Sequence, residues 1–204
     1  MCDMVVLLDN GHGVDTKGKR SPDQTLLEYK YTRERVAEIH EALKGYGIKN
    51  YILVPEETDI SLGNRIARAN EYCRQLGTKN VCLVSVHCNA SGMGEWKTAQ
   101  GWSIWTSKGQ TQGDKLADEL FAVAKERFAE EGRKVLADKR DGDGDFESNF
   151  AILAKSKCAA CLVENFFMDN KDDLAYLQSE RGQDAIVDVI VEGIVRYIKK
   201  YGVK

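Results

Sequence analysis

Short apolar runs, separated by amphipathic stretches of helical length, set the pattern of this chain. Met4-Val5-Val6-Leu7-Leu8 is apolar up to Asp9 and reads as a buried strand; Val81-Cys82-Leu83-Val84-Ser85-Val86 reads the same way. Residues 51–54, closed by Pro55, form a short strand, and Gly101-Trp102-Ser103-Ile104-Trp105-Thr106 alternates like a half-buried one. Apolar runs at residues 150–154 and 161–163 add further strand character. Helices are predicted over residues 26–43, 61–75, 114–131, 172–177 and 179–201, the second opened by Ser61 as N-cap. In the first, Leu27, Tyr31, Val36, Ile39 and Leu43 fall near helical spacing; in the last, Ile186, Val189, Ile190, Ile194 and Ile198 face inward. Strands that alternate with helices predict an α/β protein, a sheet covered by helices on both faces. No repeat, linker or low-complexity stretch interrupts the pattern, so residues 1–204 are expected to form one domain.

Composition narrows the function. A chain of 204 residues with 43% hydrophobic content can fill one core, and a net charge of −3 offers no basic field for nucleic acid or an anionic membrane. No stretch approaches the length of a membrane span, and a monomer is expected. The first strand begins within a few residues of Met1, which leaves no leader in view. The expectation is a protein made in the cytoplasm, or one whose leader has been removed. The 6 cysteines are too sparse for a disulfide framework and read as buried free thiols. Cys158-Ala159-Ala160-Cys161 leads into a strand rather than opening a helix, and no second such pair completes a thiolate zinc site.

The candidate chemistry lies where apolar runs end. His12 follows the first strand between Gly11 and Gly13, which are expected to let the chain turn sharply, and His87 leaves the second long run directly. Two of only 3 histidines in the chain thus stand at strand exits, where they can share a metal ion. Glu28, in the first turn of the next helix, is a candidate third ligand; equally, it is a carboxylate favoured there by the helix dipole. Glu164 ends the run Ala159-Ala160-Cys161-Leu162-Val163, where burial is costly without a partner or a purpose. It is a candidate general base, or a structural residue paired with Arg65 or with a backbone donor. His40, in mid-helix, reads as an ordinary partly exposed histidine. A calcium loop starting at Asp141 would need Gly and Glu where Phe146 and Ile152 stand, so Asp141-Gly142-Asp143-Gly144-Asp145 reads as a solvated acidic loop.

These residues resemble a known family, the zinc-dependent N-acetylmuramoyl-L-alanine amidases of the amidase 3 type. The resemblance rests on Asp9-Asn10-Gly11-His12-Gly13, Glu28, Ser61-Leu62 with Arg65 and Ala69-Asn70, Ser85-Val86-His87-Cys88-Asn89-Ala90, and Leu162-Val163-Glu164 with Phe167, Asn170 and Asp173. It implies that His12, Glu28 and His87 bind Zn2+ and that Glu164 is catalytic. It also implies a three-layer α/β/α sandwich with a mixed, roughly six-stranded sheet. The implied substrate is peptidoglycan, cleaved at the amide between the lactyl group of N-acetylmuramic acid and L-alanine, in the bacterial cell wall or periplasm. Asn10 stands where the family commonly has proline, and Phe166 where it usually has glycine, which puts the pocket wall near Phe166 in question. Rival readings are a zinc exopeptidase or other amidohydrolase on a related fold, and an inactive peptidoglycan-binding module.

Overall fold

The first strand, β1 (Val5–Asn10), is buried at every position, as its unbroken apolar run requires. The computed structural model describes residues 4–138 and 142–202. Helix α1 (Glu28–Gly45) follows, then β2 (Asn50–Ile52), α2 (Leu62–Leu76), β3 (Val81–Asn89) and β4 (Ser103–Thr106). The chain continues through α3 (Gln112–Glu130), β5 (Phe146–Glu147), α4 (Ala151–Ala154), β6 (Ala159–Phe167), α5 (Lys171–Gln178) and α6 (Glu180–Tyr201). Ser61 caps α2 through Asn64 N, and Thr111 and Asp114 form a capping box on α3. Among the described residues no helix is long and apolar enough to cross a membrane.

The strands form one six-stranded sheet in the order β2-β1-β3-β6-β4-β5. β2, β1, β3 and β6 run parallel, while β4 pairs antiparallel with β6 and carries β5 beside it. The sheet is therefore mixed, as expected. Alternate side chains separate two cores. Val6, Leu8, Cys82, Val84, Cys161 and Val163 pack with α1, α3 and α6. Val5, Leu7, Leu83, Ala160 and Leu162 pack with α2 and α4. That is the three-layer sandwich, with the C-terminal ends of four parallel strands opening at one edge.

Two expectations change. Residues 150–154 hold the short helix α4 rather than a strand: Ile152 and Leu153 enter the second core while Phe150 stays partly exposed, and a run this short carries no period to tell the forms apart. The acidic segment is not simply solvated either. Asp145 is 2% exposed and accepts a hydrogen bond from Thr106 Oγ1, and the following residues pair as β5; Asp141 lies outside the described residues.

Candidate metal centre

Parallel pairing brings the strand-end groups together. Asp9 on β1 registers with Ser85 on β3, and His87 on β3 registers with Glu164 on β6. His12, Glu28 and His87 lie so that one ligand atom from each falls within 4.8 Å of the others, a group that can hold a metal ion. Glu28 Oε1 is 3.4 Å from His12 Nε2 and 3.1 Å from His87 Nδ1, and it also accepts the backbone N–H of Cys88. Among the described residues Glu28 Oε2 is buried without a hydrogen-bond partner, an orphaned carboxylate oxygen that suits a cation. Burial works against a charge on Glu28, but the hydrogen bonds of His12 and His87 outweigh it and hold the carboxyl well below the usual carboxylate range. Two imidazoles and a carboxylate are a donor set suited to zinc.

Glu28 opens α1 without a side-chain cap; its N–H instead donates to Lys19 O, which ties the helix start to the loop after β1. His12 itself occupies the left-handed region, at φ 64, where a non-glycine residue is strained. Gly11 and Gly13 do not supply that turn. They supply space: a Cβ on Gly11 would lie 2.3 Å from His87 Cε1, and one on Gly13 would lie 2.0 Å from Asp59 N. The strained His12 carbonyl is held from two sides, by Arg33 Nη1 at 3.0 Å and Arg65 Nη2 at 3.2 Å.

Arg65 is not a partner of Glu164. Its guanidinium pairs with Asp9 at 2.7 Å and Asp59 at 2.9 Å and also donates to the carbonyls of Asn10 and Ile60. None of these partners is Glu164, whose Oε2 is buried with no hydrogen bond. Burial pushes the Glu164 carboxyl up to about 7; His87 opposes, Glu28 adds, and Lys19 opposes. A carboxyl poised near neutrality suits proton transfer. Asp9 escapes the sequence reading, although the desolvation argument that singles out Glu164 applies to it equally. It is buried, and it accepts from Ser85 Oγ at 2.6 Å as well as from Arg65.

Asp9, His12, Arg65, His87 and Glu164 line one cavity of about 360 Å³, with Ile60, Leu62, Phe150 and Leu162 as its apolar wall, while Glu28 is buried outside that lining. A larger cavity of about 670 Å³ opens at the opposite strand ends and holds none of them. Phe166 is not in the pocket wall. Three residues of β6 advance against two of β3 here, from His87↔Glu164 to Asn89↔Phe167, and Phe166 adopts φ 60 in this bulge. Its ring is fully buried against Phe128 and Tyr176, each at 5.0 Å. His40 is partly exposed, as expected, and contacts Asn50. Among the described residues, Cys73, Cys82, Cys88, Cys158 and Cys161 form no disulfide.

A cluster able to hold a metal ion, facing an unpartnered carboxylate at the strand ends of an α/β sheet, belongs to the class of sites that metal-dependent hydrolases use. The chain is a member of the N-acetylmuramoyl-L-alanine amidase family, whose model matches residues 6–196. It is 26% identical over 193 residues to the Staphylococcus aureus protein named "Probable cell wall amidase LytH", covering 94% of this chain and 57% of that relative. The chain thus spans little more than half the length of that curated relative. The crystal structure of N-acetylmuramoyl-L-alanine amidase from Clostridium difficile 630 superposes with a TM-score of 0.80 at 26% identity, covering 98% of both chains. The catalytic domain of CwlV, an N-acetylmuramoyl-L-alanine amidase from Bacillus (Paenibacillus) polymyxa var. colistinus, shares the fold with a TM-score of 0.78 at 20% identity, covering 96% of this chain and 98% of that one.

Proposed function

We propose that this chain hydrolyses the amide between the lactyl group of N-acetylmuramic acid and L-alanine in peptidoglycan. His12, Glu28 and His87 would hold one Zn2+, and Glu164 would move the proton. When bound, zinc supplies the Lewis acidity that amide hydrolysis requires. The observation that carries the reading is a three-residue cluster whose two histidines share one cavity with a buried, unpartnered Glu164 oxygen. Glu164 Oε2 takes a proton from the attacking water and returns it to the alanine nitrogen as the amide opens, so the amine leaves neutral. The N–H of Cys88 fixes the Glu28 carboxylate, and Arg65 and Arg33 hold the backbone that carries His12. The apolar wall gives the lactyl methyl and the alanine side chain a dry surface.

The deciding experiment is mass spectrometry of products from purified peptidoglycan incubated with zinc-loaded protein. Stem peptides beginning with free L-alanine, alongside glycan strands with intact lactyl groups, are expected. Release of single amino acids would favour an exopeptidase instead. Binding without any release would leave a peptidoglycan-binding module.

A further inference from the structure

The cavity contains a cation that the proposed chemistry does not use. Arg65 is fully engaged by Asp9, Asp59 and backbone carbonyls. Lys19 lines the same cavity, and among the described residues its ammonium group has neither an ion pair nor a hydrogen bond. Its backbone is not free to wander: Lys19 O accepts from Glu28 N at 3.0 Å, and the neighbouring Arg20 bridges to Leu27. A lysine is thereby tethered to the residue that opens α1 and supplies the cluster's carboxylate. Its charge also reaches Glu164. An unpaired ammonium beside a metal cluster has a natural counterpart in a carboxylate of the incoming substrate.

Stem-peptide chemistry offers one at the right place. The residue after L-alanine is a D-glutamate joined onward through its side-chain carboxyl, so its α-carboxyl hangs free, or in some walls is capped as a neutral amide. That group lies about two residue steps, roughly 7 Å at most, from the nitrogen of the cleaved bond. We propose that Lys19 Nζ binds this α-carboxylate and makes the enzyme prefer stems whose D-glutamate is not amidated. The proposal rests on the amidase reading above and adds the substrate feature that the site selects.

Short glycan strands carrying tripeptide stems test it, in two preparations that differ only in whether the D-glutamate α-carboxyl is free or amidated. The zinc-loaded protein is expected to favour the free acid by about two- to fivefold in kcat/KM, the scale of an ion pair made by an exposed lysine, and chiefly through KM. Lys19→Met should erase that preference, and Lys19→Arg should keep it. Equal turnover of both preparations by the unmodified protein would overturn the role of Lys19 and leave the amidase reading intact. So would a Lys19→Met variant that slows both in the same proportion. Cleavage of neither preparation would remove the amidase reading and this inference with it.

Discussion

Glu164 lines the cavity while Glu28 is buried against the two imidazoles, and these surroundings suit them to the different roles proposed above. Glu28 sits between two imidazoles and a backbone N–H, whereas Glu164 has a buried oxygen with nothing to accept from. Glu164→Gln is therefore expected to fold, keep its metal and lose about a hundred- to ten-thousandfold in turnover. Glu28→Gln should lose zinc and activity together, because a neutral amide is the poorer ligand. Elemental analysis beside a turnover assay separates them, and zinc lost from the Glu164 variant would show that the roles are reversed. Both glutamates stand out in the sequence because each occupies a position where charge is costly or directed. The strain at His12 does not stand out: the flanking glycines suggest a turn made by glycine, while the left-handed residue is the histidine itself. Nor can a sequence show that Arg65 is occupied by Asp9, since the two are 56 positions apart.

At the scale of elements, β6 carries the most information. Its apolar run is legible in the sequence; its place between β3 and β4 is not, because strand order depends on long crossovers that leave no local mark. The bulge at Phe166 gives a physical reason why glycine is usual at this position: the backbone needs φ 60. Phe166→Gly should relieve backbone strain of about 1–3 kcal/mol but lose about 3–5 kcal/mol of aromatic packing. A net destabilisation of about 2 kcal/mol, read by urea unfolding, with zinc content unchanged, is the expected outcome. Altered zinc content would place Phe166 back at the pocket. The β4–β5 edge makes a separate prediction through Asp145. Burial pushes its carboxyl from 3.8 up to about 7; the Thr106 hydrogen bond opposes, and Asp143 adds. Between those values the folded chain keeps a proton that the unfolded chain has released, so Asp145 makes stability fall as pH rises through that window. Asp145→Asn should flatten this slope when thermal midpoints are compared at about pH 5 and about pH 8. An unchanged slope would show that other groups set it.

Across the whole molecule, the proposed ligands come from the end of β1, the start of α1 and the end of β3, so one ion would pin a helix to two strands. A metal bound only by the folded form stabilises it by about 4 kcal/mol at a thousandfold excess over its dissociation constant. For a chain of this size, that is roughly 10 °C in midpoint. Scanning calorimetry with and without a chelator should show a fall of this order, and His87→Ala should be insensitive to the chelator. The alternation of strands and helices made the layers legible in advance; the short helix α4 and the pairing of β6 between β3 and β4 needed the coordinates. That pairing has a consequence for biosynthesis. β3 and β4 are consecutive along the chain, yet they are separated in the sheet by β6, which begins only at Ala159. A ribosome that has delivered the first two-thirds of the chain has delivered every proposed zinc ligand but neither the central strand nor Glu164. On the roles proposed above, the growing polypeptide would carry its metal ligands before its general base, and Glu164 would arrive with the strand that joins β3 to β4.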